Sequence, residues 1–131
     1  MIIIRSSKIR EVPASHESED NPGSYRRRLF EKLDFPKGLS PQMINWARIP
    51  AGKKFRLHYH EDLIEIFIIA SGRARIMVDG EAEIIRSGDA VMIPAKSPHT
   101  MEAIGKKEVE YLVVGYSWGL GGKTIVAEIE K

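Results

Sequence analysis

The feature that most constrains the fold is a series of short Ile- and Val-rich segments, separated by turn residues, that begins at Gln42. The segments have the length and residue types of β-strands. Helical periodicity is absent from the long stretches, although Tyr25–Leu33 could form a short helix. About ten strands without a helical layer must cover their own faces, so the sequence predicts an all-β fold in which two sheets form a jelly-roll-like barrel.

The strand boundaries follow from the turn residues. Asp79-Gly80 is a strong hairpin signal, because both central residues of such a turn need positive φ. We expect one domain over residues 1–131, with the barrel at about 40–118 and a polar loop at 13–24. The predicted strands are Met1–Val12, Gln42–Ile49, Lys54–His60, Leu63–Ala70, Arg73–Val78, Glu81–Arg86, Ala90–Ile93, His99–Ile104, Val109–Ser117 and Lys123–Ile129.

Composition limits the class of protein and its partners. The 131 residues suffice for one hydrophobic core, and 43% hydrophobic with 29% charged residues is typical of a soluble globular protein. A net charge of +2 does not favour a nucleic-acid partner, and the basic run Arg26–Arg28 is interpreted as a solvated edge or an anion-facing loop. The N-terminal apolar run is too short for a signal peptide and no stretch is long enough to span a membrane, so we expect a cytoplasmic protein.

Histidine and glutamate residues form the candidate metal site, since the chain has no cysteine. His58 and His60 are two residues apart in a predicted strand and therefore share a face. Glu65 lies on the next strand, and His99 lies on a later one that could return beside them. A single strand histidine is more often a surface or core residue, but three of the four histidines stand in this arrangement, with His16 left in the polar loop. This N/O donor set suits Mn, Fe, Co, Ni, Cu or Zn better than Ca or Mg.

The same residues resemble a known family. Gly52, five residues, His58-Tyr59-His60, four residues, Glu65, six residues and Gly72 are similar to the first cupin motif, and Gly88, five residues, Pro94 and His99 to the second. Lys96 and Ala103 stand where the second motif commonly has glycine and asparagine. The resemblance to the cupin superfamily implies a small cupin barrel, often a homodimer, with His58, His60, Glu65 and His99 as metal ligands.

Strand parity indicates a candidate substrate pocket. Arg56 is in phase with His58, Phe67 with Glu65, and Met101 with His99, so all three are predicted to point inward. An inward apolar residue is more often plain core, whereas Arg56 could bind a substrate carboxylate or phosphate. Arg56 could equally reach solvent or pair with an acidic neighbour. No catalytic residue is identified.

Several functions are consistent with this pattern. The leading hypothesis is a metal-dependent enzyme acting on a small polar molecule, with dioxygenase, decarboxylase or sugar-isomerase-like chemistry. The alternatives are a non-enzymatic module that binds a sugar or another small molecule, and a dimeric interaction domain with a structural metal. Exposed sheet edges favour a homodimer. One glutamine, two asparagines and abundant Lys, Arg, Glu and Ile favour a thermophilic source.

Overall fold

The described part of the protein is built from two antiparallel β-sheets, which confirms the predicted all-β class. The computed structural model describes residues 2, 4–38 and 40–127. The larger sheet has the strand order β1-β2-β3-β10-β5-β8, the smaller has the order β11-β4-β9-β6-β7, and the two pack face to face without closing into a continuous barrel. The strands are β1 Val12–Pro13, β2 Tyr25–Glu31, β3 Pro41–Ile49, β4 His58–His60, β5 Ile64–Ser71, β6 Arg73–Val78, β7 Glu81–Arg86, β8 Ala90–Ile93, β9 His99–Ile104, β10 Val109–Tyr116 and β11 Thr124–Val126.

The central strands agree with the sequence prediction. β6, β7, β8 and β9 begin and end at the predicted residues. Asp79 and Gly80 have φ angles of 52° and 84°, which confirms the two-residue turn between β6 and β7. Alternation and turn chemistry are local signals, so they are sufficient to place these strands.

Two predictions near the N-terminus are wrong. Tyr25–Leu33 contains no α-helix: Tyr25–Glu31 is strand β2, and its pairing with β3 outweighs the weak local periodicity. The strand predicted over Met1–Val12 is interrupted by a 3₁₀ turn at Ser6–Lys8, which the Lys8 N–H and the Ile9 N–H stabilise by donating to preceding carbonyls. Met1 and Ile3 lie outside the described residues, and among the described residues of this segment the pairing with β2 is made by Val12 and continues to Pro13.

The two strands predicted at Lys54–His60 and Lys123–Ile129 are shorter than expected. In the predicted strand Lys54–His60, the residues before His58 form one isolated β-bridge, between Lys54 and Glu102. Strand β4 is therefore limited to the three residues His58–His60. β11 covers Thr124–Val126, and the end of that prediction, from residue 128, lies outside the described residues. A second 3₁₀ turn covers Lys32–Asp34, and neither of these three-residue turns is long enough to cross a membrane.

The hydrophobic core lies between the two sheets. Alternate residues of β10 are buried, so Val109, Tyr111 and Val113 face the smaller sheet. The apolar side chains with almost no exposure are Ile49, Phe55, Ile69, Ala74, Ile93, Met101, Ala103 and Val109. Several buried polar residues adjoin this core, and they form the site described below.

The outer side of the larger sheet is also apolar. Cross-strand pairing places Leu112 between Trp46 and Ile68, and Val114 between Ile44 and Ile66, with Met92 beyond Ile66. These seven side chains are called the outer apolar face. Ile68 is 38% exposed and Met92 is 63% exposed, whereas the solvent side of an antiparallel sheet is normally polar.

Candidate metal centre

Four buried side chains from three strands meet between the sheets. His58 and His60 come from β4, His99 from β9 and Glu65 from β5 of the opposite sheet. One potential ligand atom from each of the four lies within 4.8 Å of the others. The structure therefore brings together the four residues that the sequence indicates as candidate metal ligands.

Strand geometry explains the convergence. His58 and His99 are direct cross-strand partners, and His60 shares the face of His58 because it lies two residues away. Glu65 takes the inward position at the start of β5, where Phe67 and Ile69 continue the buried side.

Each imidazole ring is fixed by a hydrogen bond at Nδ1. The partners are Arg56 O for His58 at 2.7 Å, Ser97 O for His99 at 2.9 Å and Thr124 Oγ1 for His60 at 2.8 Å. A carbonyl oxygen can only accept, so His58 and His99 carry a proton at Nδ1 and, in the neutral ring, a lone pair at Nε2. Metal-binding histidines are oriented in this way by the groups behind them.

The Nε2 atom of His99 supports an ion at the centre of the cluster. It lies 3.3 Å from Glu65 Oε1, yet it is buried and makes no hydrogen bond. The corresponding distance from His60 Nε2 to Glu65 Oε1 is 3.1 Å. Buried polar atoms nearly always have a partner, and an unsatisfied one facing a carboxylate and two further imidazoles fits a position where a cation binds.

The cluster also favours the protonation states that bind metals. Burial lowers the pKa of His58 to about 3, and the nearby rings of His16 and His99 add to this effect. Burial alone would raise the pKa of Glu65, but its contacts with His60 and His99 reverse the shift and hold that pKa well below its usual value. A neutral imidazole and an ionised carboxylate are the forms that ligate a divalent transition metal.

His16 also belongs to the site, although its sequence position indicates only a polar loop. Its ring stacks on that of His58, with a centroid distance of 3.9 Å and an interplanar angle of 18°. Glu17 Oε2 lies 3.3 Å from His16 Nε2 and accepts a hydrogen bond from Ser24 Oγ at 3.0 Å. Loop residues have no periodicity that places them, so proximity to His58 could not be read from the sequence.

A cavity of about 200 Å³ adjoins the cluster. Its walls include His16, His58, His60 and Glu65 together with apolar side chains. Asn45 and Tyr111 also line this cavity. Both lie at buried positions of an alternating strand, so the alternation of β3 and β10 would have identified them from the sequence.

The three residues predicted to line a substrate pocket have different locations. Phe67 lines this cavity, whereas Met101 is fully buried in the core and is not part of the lining. Arg56 is exposed and borders a separate surface pocket beside Met77. The inward prediction for Arg56 is wrong because β4 begins at His58, so strand alternation does not extend back to residue 56.

Comparison with known proteins shows the family. The family described as "Cupin domain" matches residues 45–115, and the chain belongs to this family. The match contains all four clustered residues and both motifs singled out in the sequence.

The chain is also similar to several individual proteins. An uncharacterised protein of Methanocaldococcus jannaschii is 36% identical over 72% of this chain and 74% of its own length. Quercetin 2,3-dioxygenase of Bacillus subtilis is 35% identical over 49% of this chain, but the match spans only 20% of the enzyme. The crystal structure of a predicted oxalate decarboxylase from Thermotoga maritima superimposes with a TM-score of 0.76 at 24% identity, covering 88% of this chain and 99% of that one, which shows a common fold.

Proposed function

We propose that His58, His60, Glu65 and His99 bind a divalent transition metal and that the protein is a metal-dependent enzyme acting on a small polar molecule. The observation that carries this proposal is the convergence of three imidazoles and one carboxylate around the unsatisfied Nε2 of His99. Four protein ligands leave open positions in an octahedral site, as catalytic metal centres require.

The volume and the lining of the cavity fit a small molecule with a polar group. Its volume of about 200 Å³ lies below the roughly 300–1,000 Å³ of pockets for drug-sized ligands. Met43, Leu63 and Val113 form apolar walls that restrict water beside the cluster. A bound metal would supply Lewis acidity and, if redox-active, the means to activate dioxygen. The protein's part is to orient a polar group of the substrate toward the cluster.

For the reaction itself, we propose three candidate chemistries at this one site. The names of the relatives include a dioxygenase and a predicted decarboxylase, and both chemistries are candidates together with sugar-isomerase-like chemistry. Iron with substrate-dependent oxygen consumption supports the dioxygenase, whereas manganese or nickel with an organic acid bound supports decarboxylation or isomerisation.

A binding module without catalysis is the second candidate. Among the described residues that line the cavity, His16 is the one His, Asp or Glu besides the proposed ligands. Its Nε2 atom lies 3.3 Å from Glu17 Oε2. No free carboxylate or imidazole base is therefore left among these described lining residues, which favours ligand capture. Tight binding without product formation, in the presence of the native metal, supports this candidate over an enzyme.

Elemental analysis of purified protein tests the metal site. We expect about one transition-metal ion per chain in the wild type and a loss of metal affinity by orders of magnitude in His99→Ala, because one of four protein ligands is removed. Tyr59→Phe is the matched control, since Tyr59 lies between two ligands but alternates to the other side of β4. Circular dichroism checks folding, and unchanged metal content in a folded His99→Ala contradicts the proposal.

We also propose that two copies associate through the outer apolar face. Contiguous exposed apolar surface marks an interaction site, and a two-fold dimer can cover such a face with the same face of a second copy. The single domain over residues 1–131, the cytoplasmic location and the thermophilic source stay predictions.

A further inference from the structure

Arg26 is a cationic residue that lines the cavity, and it also borders a surface pocket next to Arg28. It lies on β2 directly opposite Ala47 of β3. Directly opposed residues project to the same side of a sheet, and Ala47 is buried on the inner side. Arg26 and Ala47 both line the cavity that adjoins the histidine cluster.

Among the residues that the structure describes, the charge of this guanidinium has no carboxylate partner. Within the part of the chain that the structure describes, no carboxylate forms an ion pair with Arg26 at 4.0 Å or less. By contrast, Arg48 pairs with Glu11 and Glu108. Burial lowers the pKa of Arg26, and the nearby charge of Arg28 lowers it further, so an anion beside this side chain would be favourable. A guanidinium in this setting offers a fork of donors that fits a carboxylate or phosphate.

Asn45 provides a second unsatisfied group in the same cavity. Its side chain lies on the inner side of β3, two residues from Ala47, and is 95% buried, since 5% of it is exposed. The oxygen Oδ1 is buried and makes no hydrogen bond. A buried acceptor without a donor is costly, so the cavity favours a ligand with an O–H or N–H group at this position.

The charge of the site agrees with an anionic ligand. Glu65 is the one carboxylate among the described residues that line the cavity, and a divalent metal would exceed its charge. Arg26 adds a further positive charge. The remaining walls are largely apolar or neutral, which limits screening by water.

We propose that this cavity binds a small carboxylic acid bearing a hydroxyl or amino group, with the carboxylate on Arg26 and the donor group on Asn45. Another polar group of the same molecule would face the metal centre. This inference deepens the proposed function and rests on it, since it specifies the class of substrate taken by that site.

Calorimetric titration of the metal-loaded protein tests the proposal. The probes are malate, succinate, malonate and glycolate, each compared with its uncharged carboxamide, and inorganic phosphate. We expect a hydroxy acid to bind more tightly than its carboxamide. Arg26→Gln should weaken this binding by about tenfold to a hundredfold, since a hydrogen-bonded charge pair is lost. Arg26→Lys, which keeps the charge but not the fork, should show an intermediate loss.

Two further variants sharpen the test. Arg75→Gln makes the same chemical change on β6 of the other sheet, at an exposed arginine that pairs with Glu102, and should leave binding unchanged. Asn45→Leu should reduce the preference for malate over succinate, because succinate has no hydroxyl to donate. Metal content is measured in every variant, so loss of the metal site is distinguished from loss of the anion site.

Several outcomes overturn the inference. The assignment to Arg26 is wrong if carboxylates bind metal-loaded Arg26→Gln and Arg75→Gln equally well. The substrate class is wrong if none of the acids binds the metal-loaded wild type, or if phosphate binds more tightly than every carboxylate. A wild-type protein that takes up no metal contradicts the proposed function instead.

Discussion

At the scale of single residues, the charge states of the clustered side chains couple folding to pH. The pKa of His58 is about 3 in the folded protein, against an ordinary value of 6.5, so the unfolded chain binds more protons between these values. Glu65 contributes with the same sign below its ordinary value of 4.5, because its folded pKa is lower still. Stability from both groups is therefore present at neutral pH and is lost as the pH falls.

The pH dependence can be measured on metal-free protein. We expect the free energy of unfolding, from urea titrations with a chelator, to be nearly constant above about pH 7 and to decrease progressively from pH 6.5 toward pH 3. His58→Gln should flatten the upper part of this decrease, between about pH 6.5 and 5, because the titrating imidazole is absent. An equally steep decrease in the variant would show that His58 is not the source.

Residues also differ in how far the sequence reveals them. His58 and His60 are separated by two positions on one strand, so a local rule places both on one face. His16 and Arg26 reach the same cavity only through the path of the loop and the pairing of β2 with β3. No local pattern contains that long-range information, and strand alternation points to Arg56 instead, because it gives no sign that β4 begins only at His58.

At the scale of elements, pairing between strands overrides weak local preference. The segment Tyr25–Leu33 has a pattern compatible with a helix, yet β2 forms because β3 pairs with it in antiparallel fashion from Tyr25 to Glu31, with one irregularity at Leu29. The hairpins β5–β6 and β6–β7 are predictable, because their short turns carry glycine at the positions that require it.

The turn at Gly72 provides a test of this local control. Gly72 has a φ of +87°, and a Cβ atom there would clash with the carbonyl oxygen of Glu108. Gly80 has a similar φ of +84°, but a Cβ atom on it would meet no atom within 4 Å, so it is the matched control. Gly80→Ala should cost about 1–2 kcal/mol of backbone strain, and Gly72→Ala about 1–3 kcal/mol more from the clash. Equal losses in urea unfolding would contradict this account.

At the scale of the whole molecule, the outer apolar face predicts association. Ile68→Glu and Met92→Glu each place a charge on this face, and burying it against a second copy would be costly. We expect the wild type to sediment as a dimer and both variants to shift toward monomer at the same concentration. Glu83→Lys on β7 of the other sheet is the control, since it changes an exposed charge away from the outer apolar face. A monomeric wild type, or dimeric variants, would exclude this interface.

The cross-strand pair His58–His99 has a consequence for assembly of the fold. These two residues are at once the pairing contact between β4 and β9 and half of the cluster, so a slip of one residue would turn an imidazole to the opposite side of its sheet. The imidazoles of His58 and His99 therefore reach the cluster only when the two strands are correctly aligned. Metal uptake during refolding would report, in real time, the moment at which this part of the chain reaches its native alignment.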